Sequence, residues 1–83
     1  MKNIEYVKEK YIENINEEDE KNEIIRNIIN TRYNLKVAHT NFDLAESREQ
    51  IDYYIFKIKS LQKQLNCLIK TAKNKNIDIN KIA

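Results

Sequence analysis

Apolar positions along this chain fall into two runs whose members are three and four residues apart. The first run is Ile24, Ile28, Thr31, Leu35, Ala38, Phe42 and Ala45, and the second is Ile51, Tyr54, Ile58, Leu61, Leu65, Leu68 and Ala72. Alternating steps of three and four put seven residues on one face of a helix, as in a coiled-coil seam. Only Glu46 to Gln50 separate the runs, so the chain is expected to turn back on itself. The pattern predicts an all-α protein, an antiparallel two-helix hairpin over residues 16–76.

Local signals set the expected boundaries. Asn14 and Asn16 are good N-caps, and Glu17, Glu18, Asp19 and Glu20 follow where carboxylates favour the positive end of a helix. The first long helix is therefore expected from about Asn16 to Ala45. Upstream, in residues 1–15, Ile4, Val7, Tyr11 and Ile15 stand at helical spacing and suggest a short amphipathic N-terminal helix. A continuous helix from residue 3 is the alternative, since no strong breaker intervenes. Ser47 with Gln50 three residues later fits a capping box and opens a second helix from Arg48 to about Lys75. Lys70, Lys73 and Lys75 suit its negative end, and Asn74 or Asn76 can take the left-handed cap conformation. Residues 77–83 are expected to fray.

On this reading the helices are nearly equal, each ~45 Å long at 1.5 Å per residue. The implied layers set Ala45 against Ile51, Phe42 against Tyr54, Ala38 against Ile58 and Leu35 against Leu61. Thr31 with Leu65, Ile28 with Leu68 and Ile24 with Ala72 complete the seam. Small residues mostly face large ones, as interdigitated packing requires. A single seam is a thin core, and apolar side chains remain outside it. Ile25 and Ile55 flank it. Ile29, Tyr33, Val37 and Leu44 make a second stripe on the first helix, while Tyr53 and Phe56 lie off the seam of the second and Ile69 flanks it. Either the N-terminal segment folds over these residues or two hairpins pair into a helical bundle. A homodimer is the favoured expectation.

Composition narrows the class of function. The chain has 83 residues without glycine or proline, one cysteine, and charged side chains at 34% against 41% hydrophobic. It is too apolar for disorder and too polar for a membrane protein, and it shows no secretory apolar segment. Cys67, the one cysteine, has no internal disulfide partner, which fits a reducing cytoplasm. Ile, Asn and Lys supply 14, 12 and 12 residues, the signature of an AT-rich bacterial genome. Residues 1–50 carry 8 basic and 11 acidic side chains, whereas residues 51–83 carry 7 and 2. The opposed signs suit antiparallel pairing, or a weakly basic second helix.

Candidate chemistry is sparse. Tyr53 and Phe56 point away from the seam and, with Ile29, Tyr33 and Val37, form the candidate protein interface, because aromatic residues supply contact area at low entropy cost. Tyr54 belongs to the core, and Asp52 reads as a carboxylate in the first turn of its helix. Lys59, Lys63, Lys70 and Lys73 share an outer face that could follow phosphates. With three arginines in the chain, base readout is poorly provided for, and a solvated face is preferred. A membrane-surface role is weaker, because the apolar face of that helix is committed to the hairpin.

His39 has no second histidine or cysteine at ligand spacing, so no metal site is expected. Glu17 to Glu20 lack the glycine turn of a calcium loop. Cys67 has no neighbouring histidine to make it a nucleophile. Small all-helical chorismate mutases are dimers of similar length that bind a dicarboxylate through several arginines, but Arg26, Arg32 and Arg48 do not converge in the layered arrangement. The expectation is a non-enzymatic protein without cofactor, an interaction or adaptor module, with a nucleic-acid accessory role as the alternative.

Three segments carry a resemblance to a family: Asn41-Phe42-Asp43, then Ile51-Asp52-Tyr53-Tyr54-Ile55-Phe56-Lys57, then Leu68 to Ile77 with its Thr71-Ala72-Lys73 centre. Together they resemble the YaaL-like family, small uncharacterised proteins of low-GC Gram-positive bacteria grouped as a domain of unknown function. The family pattern is an Asn/Tyr-Phe-Glu segment, an Asp-Tyr-x-Ile-Tyr block and a Leu-x-x-Ala-Lys-x-x-x-Ile ending. Asp43 stands here for the Glu and Phe56 for the second Tyr, which removes one phenolic hydroxyl. The likeness spans residues 24–77 and leaves residues 1–15 without a counterpart. It implies no activity, since the family has none assigned.

Overall fold

A computed structural model describes the backbone of residues 2–81 and the side chains of residues 18–80. The chain forms a long helix α1 (Lys2–Leu44), a shorter helix α2 (Arg48–Asn74) and a single 3-10 turn, Ile79–Lys81. The two long helices pack against each other. No strand occurs among the described residues, and the molecule measures 67 × 25 × 15 Å.

All fourteen seam positions are buried or half-buried. Ile24, Ile28, Leu65 and Ala72 form the tightest cluster, with Leu35, Leu68 and Ile69 packed on it, and Ile28 and Ala72 are fully covered. Nearer the turn, Phe42, Ala45, Ile51, Tyr54 and Ile58 are only half-buried. The core is thus densest at the end away from the turn.

The reversal depends on Ser47. Its backbone is extended, at φ −94° and ψ 155°, and its hydroxyl accepts from the Gln50 N–H at 3.1 Å. The Gln50 side chain reaches back to accept from the Ser47 and Glu46 N–H groups at 3.3 and 3.1 Å. This capping box satisfies donors that the first turn of α2 would otherwise leave free.

The first helix follows the continuous-helix alternative and not a start near Asn16. No boundary appears near Asn16, and α1 runs unbroken for 43 residues against 27 for α2, so the helices are not equal. An asparagine caps a helix only where the chain leaves it, and without glycine or proline the propensity of the glutamates and lysines carries the helix onward. The side chains of Ile4, Val7, Tyr11 and Ile15 lie outside the described residues.

The C-terminal end differs from expectation. Asn76 adopts the left-handed conformation at φ 59°. Its N–H donates to the Lys73 carbonyl at 3.1 Å and that of Ile77 to the Ala72 carbonyl at 2.9 Å. These two bonds are a Schellman motif, which caps the last carbonyls and turns the chain back. Ile77 and Ile79, expected to fray, therefore return to pack on the core. The closing turn at residues 79–81 is nucleated by Asp78, whose carboxylate accepts from the Asn80 N–H at 3.0 Å. Ile82 and Ala83 lie outside the described residues.

Candidate functional site: the outward apolar surface

Among the described residues, seven large apolar side chains outside the seam stay exposed. On α1, Ile29, Tyr33, Val37 and Leu44 are exposed, Tyr33 at 66% and Leu44 at 72%. At 100° per residue these four share one sector, nearly opposite the seam. On α2, Tyr53, Ile55 and Phe56 are exposed, Phe56 at 77%. A scatter of single exposed apolar residues is ordinary on a protein surface, but a stripe with helical spacing marks a contact face.

Tyr53 is held in place. Its ring meets that of half-buried Tyr54 edge-on, with centroids 5.0 Å apart and planes at 70°. The ammonium of Lys57, one turn on, sits 5.6 Å from the Tyr53 ring centroid. Both contacts restrict the ring, so less freedom is lost when it is covered. Lys57 was not among the residues singled out from the sequence, although its i, i+4 spacing from Tyr53 carries the signal.

Phe56 stands with Lys59, Ser60, Gln62 and Lys63 around a shallow hollow open on the outer side of α2. Lys59, Lys63, Lys70 and Lys73 are all exposed. The five interface candidates thus occupy two places. Ile29, Tyr33 and Val37 run along the back of α1, and Tyr53 and Phe56 lie on the outer flank of α2 near the turn.

Among the described residues, no three histidine, cysteine, aspartate or glutamate side chains are grouped to hold a metal ion. His39, Cys67 and Asp52 are exposed, as are Arg26 and Arg48, while Arg32 is half-buried. No described buried side-chain polar atom lacks a hydrogen-bond partner. No described helix is long and apolar enough to cross a membrane.

Comparison of the chain with models of known protein families, with curated proteins and with solved structures finds no match.

Proposed function

We propose that this chain is a non-enzymatic cytoplasmic interaction module that docks protein surfaces, its own included, through the apolar side chains on the outside of the hairpin. The supporting observation is that Ile29, Tyr33, Val37, Tyr53 and Phe56 are all exposed while the seam is filled by other residues. Water-exposed aromatic and aliphatic groups in a row gain free energy when covered, and aromatics dominate such contacts. The YaaL-like resemblance fits a small helical protein of this kind and adds no reaction to it.

Sedimentation equilibrium tests the reading. The wild-type chain is expected to exceed its monomer mass of 10.0 kDa at micromolar concentration or to retain a protein from a lysate of its native cell. Changing all five residues to serine is expected to abolish both. A wild-type chain that stays monomeric and retains nothing overturns the proposal.

A second reading rests on Phe56 lining one hollow together with Lys59 and Lys63. An aromatic ring beside cations is how sequence-tolerant single-strand binders combine stacking with phosphate contact. Under this alternative, a nucleic-acid accessory role, the chain retards DNA in a salt-dependent way. Glutamate at Lys59, Lys63, Lys70 and Lys73 then abolishes retardation and leaves the sedimentation mass unchanged.

A further inference from the structure

α1 is much longer than the hairpin needs. Glu20 pairs with Lys75 at 2.9 Å, one residue past the end of α2. The helical backbone of residues 2–19 therefore projects beyond the end of α2. That arm is ~27 Å long at 1.5 Å per residue. Most helical stability in proteins comes from packing an apolar face and not from propensity, so an arm that stays helical gains from something to lie against.

The outward stripe has a matching length. Residues 29–44 span ~24 Å of helix. Counted at helical spacing, the arm falls in the same line. Ile4, Val7, Tyr11 and Ile15 lead through positions 18 and 22 to Ile25, Ile29, Tyr33, Val37, position 40 and Leu44, always in steps of three or four. The mean step is close to the period of a straight helix, 3.6 residues. Position 18 is Glu, 22 is Asn and 40 is Thr; the other nine are apolar. α1 thus has a second register of apolar positions, set apart from the seam that α2 covers.

Charge sets the direction of a pairing along that line. Residues 2–23 carry eight acidic and four basic side chains, net −4, and residues 24–44 carry three basic and one acidic, net +2. A parallel pair of α1 helices would set the acidic halves side by side. An antiparallel pair sets each acidic half against a basic one, and it has the two-fold symmetry usual for a homodimer.

We propose that two copies pair antiparallel along α1, the overhanging arm of each covering the outward stripe Ile29, Tyr33, Val37 and Leu44 of the other. The two-fold axis falls near residue 24. Ile4 then lies level with Leu44 of the second copy, Tyr11 with Val37, and Ile15 with Tyr33. The contact extends ~60 Å along a face ~10 Å wide. It buries roughly 600 Å² on each copy, at the lower end of what a specific interface requires. Tyr53 and Phe56 take no part and stay available to a different partner. This pairing rests on the self-association in the functional reading above.

The test uses the full chain at micromolar concentration. Sedimentation of wild type is expected at twice 10.0 kDa. Tyr33→Glu and, separately, Ile15→Glu are expected to halve that mass, while Phe56→Glu leaves it unchanged. Tyr33 is exposed in the single chain, so a retained circular-dichroism spectrum of the hairpin shows that loss of mass is not loss of fold. Orientation is read from a spin label at His39→Cys with Cys67→Ser. Antiparallel pairing puts the two labels about 45 Å apart, and parallel pairing under about 25 Å. A short distance overturns the proposal. A mass that responds to Phe56→Glu and not to Tyr33→Glu also overturns it, but leaves self-association standing. A wild type that is monomeric throughout overturns both the pairing and the self-association.

Discussion

Glu20 on α1 and Lys75 at the end of α2 meet at 2.9 Å across the open end of the hairpin, opposite the turn at Ser47. The pair marks where the two-helix core stops, one turn beyond the Ile24 and Ala72 layer. It also joins the acidic N-terminal half of the chain to its basic C-terminal half, in the sense that antiparallel packing requires.

Its energetic weight should be small. Both side chains are more than a third exposed, so water and salt screen the attraction. Glu20→Gln is expected to lower the unfolding free energy by about 0.5 kcal/mol or less. The difference should vanish in 1 M salt when denaturation midpoints of the two proteins are compared.

The turn is a stronger determinant. Replacing Ser47 with alanine removes the acceptor at 3.1 Å from the Gln50 N–H and leaves that donor to water. Loss of such a cap costs about 1 kcal/mol, which for a domain of this size lowers the melting temperature by about 4–8 °C. Ser47→Asp should retain most of the stability, because aspartate caps as well as serine. Thermal unfolding followed by circular dichroism separates the two variants.

Asn76 provides the third test. With φ at 59°, it sits where a Cβ is unfavourable and where asparagine is tolerated better than most residues. Asn76→Ala is expected to cost about 1 kcal/mol, and Asn76→Gly to match or exceed wild-type stability. Amide exchange should report the same order locally, since opening this motif frees the Ile77 N–H from the Ala72 carbonyl.

The hairpin was legible because its signals are local and repeated. Seam residues from Ile24 to Ala45 and from Ile51 to Ala72 name the inner faces, and Ser47 with Gln50 names the turn. Of the two asparagines offered as the C-cap, the left-handed one is Asn76. The start of α1 was not legible, because Asn14 and Asn16 compete with a run of good helix formers and no glycine or proline decides between them. The return of Ile77 and Ile79 was hidden for another reason. Their burial depends on the chain direction that a single left-handed residue sets, and alternating Ile-x-Ile at a terminus carries no helical period. The outer surface was identified only by subtraction, as the apolar residues that the seam leaves over.

Ile28 and Ile29, adjacent in sequence, separate the two surfaces most directly. Ile28 is fully buried and Ile29 is 48% exposed. Ile28→Ala removes three carbons from the densest layer and is expected to cost about 2–5 kcal/mol, a large share of the stability of so small a core. That loss should be independent of protein concentration when read by denaturant unfolding of dilute samples. Ile29→Ala leaves no internal cavity, and in dilute monomer its cost should stay within about 0.5 kcal/mol. Its effect belongs to association. At concentrations where copies pair, Ile29→Ala should weaken the dimer, lower the melting temperature and flatten its rise with concentration. Equal destabilisation by the two substitutions in dilute protein would mean that the back of α1 is covered within the single chain, contrary to the exposure of Ile29.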